Sequence, residues 1–386
     1  MQQDDLDKPL GQDLPSVRRG RRTNRIAAWG AAIGALLMVV SLAIAIREKP
    51  FRSMEPQIVA SDNGAKAKGG EQPKSKSPSV TVTSGGSGGP SIIKVNPSMD
   101  GTSTGAIVIT DPSALHQDLR VAHIPDRALI EDSSIGPLPI RAADGRRPFD
   151  VYARPWSGAR GARVAIVIGG LGVSQTGTQS AIAALPPEVT LAFASQGNSI
   201  GRWMQEGRRT GHEVIMQVPL EPFDFPNVNP GRHTLTVSAS PEENIDNLLW
   251  TLSRTTNYTG VMNYMGARFT SDVEAMQPLM SELGKRGLLY LDDGTSARSV
   301  AAQLAPESGV PFLAADAVID AVQERTAILD KLDQLERIAR AKGYAVGTGS
   351  AFGVTVEAVR TWAAEARRRG IEIVPVSALA QDPQQG

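Results

Sequence analysis

Residues 163–172 read RVAIVIGGLG. A short, continuous run of apolar and mostly β-branched residues, ending abruptly in glycines, is the pattern of a strand covered on both faces, as in a parallel sheet between helices. The same pattern recurs outward from it. Strands are expected at Arg163–Ile168, Val189–Phe193, Glu213–Gln217, Gly260–Asn263, Leu288–Asp292, Val310–Leu313, Tyr344–Gly347 and Ile371–Val374. Amphipathic runs of helical length fill the gaps. Ser271 with Glu274 three residues on reads as a capping box for a helix stopped by Gly287. Ser240, followed by proline and two acids, opens another. Gln323 to Lys342, ended by Gly343, is a third. Strands alternating with helices over about 215 residues fit an α/β fold, a distorted (β/α) barrel of seven or eight strands, with a doubly wound open sheet as the alternative. In either, function gathers at the C-terminal ends of the strands.

The N-terminal half is different. Ile26–Ile46 is a 21-residue stretch without a charge, preceded by Arg18, Arg19, Arg21, Arg22 and Arg25. At about 1.5 Å per residue it spans a hydrocarbon core of roughly 30 Å. The arginines place residues 1–25 in the cytoplasm and send the remainder across the membrane. Arg47, Glu48 and Lys49 follow directly, with no small-residue cleavage site, so an uncleaved transmembrane anchor is expected rather than a signal peptide. Residues 47–118 form a flexible linker rich in Gly, Ser, Pro and Lys, too polar to offset its own ordering entropy. Within it, Ala106–Thr110 is a short apolar patch. Residues 119–160 regain apolar content and read as an extended segment packed on the domain at 161–380.

Composition removes several classes. With 40 basic and 40 acidic residues the net charge is zero, and nothing resembles a nucleic-acid-binding surface. The absence of cysteine excludes a disulfide, a thiolate nucleophile and a cysteine metal site. The four histidines, His116, His123, His212 and His233, are scattered without metal-ligand spacing.

The strand ends carry the candidate chemistry. Gly169, Gly170 and Gly172 permit a tight turn or close backbone approach to a ligand; their spacing is not the dinucleotide fingerprint. Gln217 ends the third strand and Glu221 follows it. Asn263, Tyr264 and Arg268 follow the fourth, a mixture of planar polar and aromatic groups suited to sugars. Asp292 and Asp293 end the fifth, and adjacent residues on an extended segment face opposite sides, so only one can enter a cleft. Asp316 and Asp320 follow the sixth, and Ser350 the seventh.

Taken in order, VAIVIGGLG (164–172), LPPEVTLAF (185–193), GHEVIMQVPLEP (211–222), GVMNYMGARFT (260–270), LYLDDGT (289–295) and VPFLAADAVID (310–320) resemble the divergent polysaccharide deacetylase family, relatives of the NodB-like carbohydrate esterases. The resemblance covers about residues 161–380. It implies a distorted (β/α) barrel whose ligand or substrate is an envelope polysaccharide or peptidoglycan. It also exposes substitutions. The family's paired aspartates are Gly169 and Gly170 here, its strand-three histidine is Gln217, its asparagine–histidine pair is Asn263–Tyr264, and its late glycine–histidine turn is Gly349–Ser350. A zinc-type deacetylase activates water on the metal and removes its proton with an aspartate. With base and ligands substituted together, no metal site and no cofactor is expected; zinc or another divalent ion would bind only if the altered turns still assemble a site.

Three readings follow. The first is a membrane-anchored, periplasm-facing protein that binds or modifies envelope glycan, with Gly169, Gly170, Gln217, Glu221, Asn263, Tyr264, Arg268 and Ser350 at the ligand. The second is a metal-independent carbohydrate hydrolase in which Asp292 or Asp293 works with Asp316 as acid and base. The third is an interaction module that holds a complex at the inner membrane.

Overall fold

The glycine-rich strand lies at the centre of a curled parallel sheet. The computed structural model describes residues 117–385. They contain a hairpin, β1 (Ile130–Ser133) and β2 (Gly136–Pro139), then β3 (Arg163–Leu171), β4 (Thr190–Ala194), β5 (Val214–Leu220), β6 (Gly260–Met265), β7 (Leu289–Asp292), β8 (Phe312–Ala314), β9 (Ala317–Val318), β10 (Tyr344–Ser350) and β11 (Glu372–Ile373). The helices are α1 (Pro148–Tyr152), α2 (Gln175–Ala184), α3 (Ile200–Arg209), α4 (Pro241–Leu252), α5 (Val273–Arg286), α6 (Ala301–Glu307), α7 (Arg325–Lys342) and α8 (Gly353–Arg368). The tail 1–25, the apolar stretch Ile26–Ile46 and linker residues 47–116 lie outside the described residues. Among those described, no helix is long and apolar enough to cross a membrane.

The sheet order is β8-β7-β6-β5-β4-β3-β10-β9, with β11 beside the start of β3. Each pairing in it is parallel. The two end strands are consecutive in the chain, separated only by Ala315 and Asp316. The Ala315 amide donates to the Asp292 carbonyl of β7 at 2.9 Å, and the Asp316 amide to the Val346 carbonyl of β10 at 2.8 Å. One extended segment thus leaves one edge of the sheet and joins the other. The result is a parallel α/β half-barrel rather than a flat open sheet. All eight strands expected from the sequence form, and β9 in this sheet and the β1–β2 hairpin are additional.

Alternation along β3 explains the two cores. Val164, Ile166 and Ile168 face outward into the cluster shared with the helices. Ala165 and Val167 face inward, with Ala192, Ile215, Leu289, Leu291, Leu313 and Val346. Four residues from outside the strands join this inner cluster: Phe149 of α1, and Val374, Val376 and Leu379 after β11. The two segments that supply them are clasped together. Arg147 forms buried ion pairs with Asp150 and Asp382, both at 2.6 Å. Burial opposes the charge on Arg147, but the two carboxylates outweigh it and its pKa is raised.

Residues 117–160 hold a hairpin and the short α1, and they meet the loops that precede strands. The Phe149 amide donates to Gly287 O ahead of β7, the Arg154 amide to Glu213 ahead of β5, and Arg286 to Pro139 O of β2. This segment therefore packs at the foot of the half-barrel, opposite the strand C-termini.

Helix starts follow local chemistry with one correction. Ser240 caps α4, accepting from the Glu243 amide as expected. At α5 the cap is Asp272, not Ser271: Phe269–Ser271 forms a 3-10 turn, and extended Asp272 accepts from the Ala275 amide. α7 starts at Arg325 rather than Gln323 and ends at Gly343, whose φ is 92°.

Candidate functional site

A cleft of about 950 Å³ opens at the C-terminal ends of the strands, within the size range of small-molecule sites. Its first wall is the β3 turn. Gly170 has a φ of 74°, and its amide donates to Gln217 Oε1 at 2.7 Å. Gly169 sits directly under the same side chain; a Cβ there would lie 2.8 Å from Gln217 Nε2. The glycines and the glutamine are thus a single unit: the missing side chain at residue 169 makes room for the amide, and the amide satisfies the turn.

The opposite wall is set by Asn263, which is buried. Its Nδ2 donates to Met265 O and its Oδ1 accepts from the Asp293 amide, both at 2.8 Å. The first bond holds Met265 at a φ of 59°, and the second fixes the loop after β7. Tyr264, next along the strand, points the other way and stands 41% exposed at the mouth.

The two adjacent aspartates separate as alternation requires. Asp292 does not line the cleft: its oxygens accept from the Gly294 amide at 2.9 Å and Ser299 Oγ at 2.5 Å, closing the loop. Asp293 lines the cleft, with Oδ1 accepting from the amide and hydroxyl of Thr295 at 2.9 and 2.7 Å. Burial raises its pKa; bonds from Thr295 and Asn263 oppose that rise, and the neighbouring Asp292 charge adds to it.

Three other sequence candidates also lie outside the cleft lining. Asp316 pairs with Lys342 at 2.5 Å and accepts from the Val346 amide at 2.8 Å, fastening the seam between β9 and β10. Glu221 is buried, paired with Arg268 at 2.8 Å and accepting from the Val237 amide at 2.6 Å. These two tie the loops after β5 and β6 together. Their chemistry is consumed by that bond, so neither Glu221 nor Arg268 reaches the ligand space.

Gly170, Gln217, Asn263, Tyr264, Asp293 and Ser350 line the cleft, and Gly169 stands immediately behind Gln217. The cleft also takes in Gln196, Asn198, Thr295 and Thr348, absent from the sequence-derived set, and Asp320, which the sequence marked as following the sixth strand without placing it at the ligand. Asp320 is the most telling of these. It is 6% exposed, and its Oδ2 accepts from the Ser350 amide at 2.7 Å and Thr355 Oγ1 at 2.9 Å. It lies two residues beyond the end of β9, a strand the sequence pattern did not show.

The donor set does not suit a deacetylase metal. Among the described residues, no group of three His, Cys, Asp or Glu side chains could hold one. At the positions the family resemblance assigns to ligands stand an amide already bonded to Gly170, a phenol and a hydroxyl. His212 and His233 are elsewhere. His212 is buried with Nδ1 2.8 Å from Val189 O, and burial lowers its pKa. His233 stacks on Trp250 at 3.9 Å.

With this geometry in view, comparison with known proteins is informative. A model of the divergent polysaccharide deacetylase family matches residues 166–380, more than half of the chain. A crystal structure of the uncharacterized protein ATU2773 from Agrobacterium tumefaciens is 55% identical with a TM-score of 0.62, covering 63% of this chain and 99% of that one. An uncharacterized protein of Haemophilus influenzae is 27% identical over 48% of this chain, and uncharacterized YibQ of Escherichia coli is 24% identical over 58%. The matches span 66% and 68% of those relatives' own length.

Proposed function

We propose that this chain, which belongs to the divergent polysaccharide deacetylase family, binds envelope glycan in its strand-end cleft and does not deacetylate it by the metal-dependent route. The observation that carries this reading is the joint commitment of Gly169, Gly170 and Gln217. The positions expected to supply base and ligands form a closed hydrogen-bonded unit, and a polar cleft with an exposed aromatic at its mouth remains beside it. Amides, hydroxyls and a ring face recognise sugars. In the same proposal, Ile26–Ile46 anchors the protein in the inner membrane and the domain works in the periplasm.

The test uses the full chain with acetylated peptidoglycan and N-acetylglucosamine oligomers, with and without added zinc, cobalt or manganese. Binding with no acetate release under any metal supports the proposal. Metal-dependent release abolished by a chelator overturns it.

A second reading, carbohydrate hydrolysis by cleft carboxylates, has one observation in its favour: Asp293 is an acid of raised pKa in the same cleft as Asp320. It keeps Asp293 of the pairing read from the sequence and puts Asp320, which lines the cleft, in place of Asp316. Cleavage that survives both Asp293→Asn and Asp320→Asn would remove it.

A further inference from the structure

The carboxylates around the strand ends divide into two sets. Glu221 and Asp316 each have a cation, Arg268 and Lys342. Asp293 and Asp320, the two that line the cleft, have none: no Lys, Arg or His is among the described residues lining it. Asp320 has one oxygen held by the Ser350 amide and the Thr355 hydroxyl and a second, Oδ1, with no protein donor among the described residues, and Asp293 takes its bonds from the neutral Thr295 and Asn263. Asp292 lies behind Asp293 and adds negative charge. Partly buried carboxylates without a counter-charge are unfavourable, and a cationic ligand would supply what the protein withholds.

A second feature says what else that ligand carries. Gln217 is 6% exposed and its Oε1 is occupied by the Gly170 amide, so its Nε2 hydrogens have no protein acceptor among the described residues at the cleft wall. An N–H donor at this point repels a bare metal cation and suits a hydroxyl oxygen. At the mouth, Tyr264 and Phe352 are 41% and 43% exposed and offer flat apolar faces to a ring. Positive charge, hydroxyl oxygens and an apolar ring face together describe an amino sugar whose nitrogen is a free ammonium.

We infer that the cleft selects glycan bearing unsubstituted amino sugars, the N-deacetylated form, over the N-acetylated form. This rests on the glycan-binding reading above and reverses the expectation for a deacetylase: the cleft is built for what such a reaction would release rather than for what it would consume. An N-acetyl group presents a neutral amide and leaves both aspartates uncompensated.

The experiment is calorimetric titration of the full chain, in a mild detergent, with a β-1,4-linked glucosamine tetrasaccharide and with its N-acetylated counterpart, below the pKa of the free amine. The expected result is binding of the glucosamine form at least about tenfold tighter, roughly 1.4 kcal/mol, with the preference shrinking as salt is raised. Asp320→Asn and Asp293→Asn should each bring the two ligands within about threefold of one another, since each removes one of the two carboxylates that line the cleft. Asp293→Asn keeps an oxygen for Thr295 and so tests the charge even if Asp320→Asn fails to fold. Equal affinity, or tighter binding of the acetylated form, overturns this inference and leaves the glycan-binding reading standing. No binding of either sugar overturns both.

Discussion

Gln217 occupies the space that any side chain at residue 169 would need: a Cβ on Gly169 would stand 2.8 Å from its Nε2, while its Oε1 holds the Gly170 amide at 2.7 Å. The two positions are therefore coupled. Gly169→Asp alone displaces the glutamine and strands the Gly170 amide, for a loss of about 1–3 kcal/mol. Combined with Gln217→His, which vacates the amide, the loss should be smaller than the sum of the single changes. Urea midpoints of the two single variants and the double give the coupling; strict additivity would refute it.

Arg147 holds the foot of the half-barrel. Its side chain is 5% exposed, and its partners Asp150 and Asp382 come from the adjoining α1 and from the C-terminal segment. Removing one member of a buried ion pair leaves a carboxylate without compensation, so Arg147→Ala should destabilise by about 3–5 kcal/mol. Denaturant unfolding measures this. A loss below about 1 kcal/mol would mean the pair behaves like an exposed one.

Asp293 gives stability a pH dependence of known sign. Burial raises its folded pKa above the ordinary 3.8, so the folded state holds the proton more tightly than the unfolded chain does. Below 3.8 the carboxyl is neutral in both states and no penalty exists. As pH rises through the ordinary and then the raised pKa, the penalty for ionising the folded form accrues and then stays constant. Asp293→Asn removes it. Thermal unfolding should show the variant more stable than the parent at pH 7 and level with it near pH 3; the reverse ordering would contradict the assignment.

On the proposed glycan-binding reading, Tyr264 contributes affinity without a structural burden. Because the ring is 41% exposed, Tyr264→Ala should leave the melting temperature nearly unchanged. Loss of ring stacking should weaken glycan binding by about two- to tenfold, taking about 0.5–1.5 kcal/mol for the stacking contact. Unchanged affinity in the same titration would remove Tyr264 from the ligand site.

What could be read from the chain, and what could not, follows from how far each pattern is local. β3 was legible because a strand buried on both faces must be continuously apolar. β9 was not: two residues long, it exists because the segment after β8 crosses to β10, a tertiary event with no period of its own. Without it, Asp320 was assigned to the end of the sixth strand and left out of the residues placed at the ligand. Alternation correctly separated Asp292 from Asp293, but which one faces the cleft depends on Ser299 and Gly294, both supplied by the fold. Glu221 was misplaced for another reason. β5 continues past Gln217 through Pro219, a residue that argues against a strand, and carries Glu221 to a loop where Arg268 awaits it.

The packing of residues 117–160 at the foot has a mechanical meaning. The Gln117 amide is bonded to Val151 O, Ala122 O accepts from Asn257, and the Arg147 clasp lies further along the same segment. Tension arriving through residue 117 is therefore met first by these bonds, behind the strands. The loops that shape the cleft are off the load path, so the domain can be tugged by its upstream chain while the geometry around Gln217, Asp293 and Asp320 stays at rest.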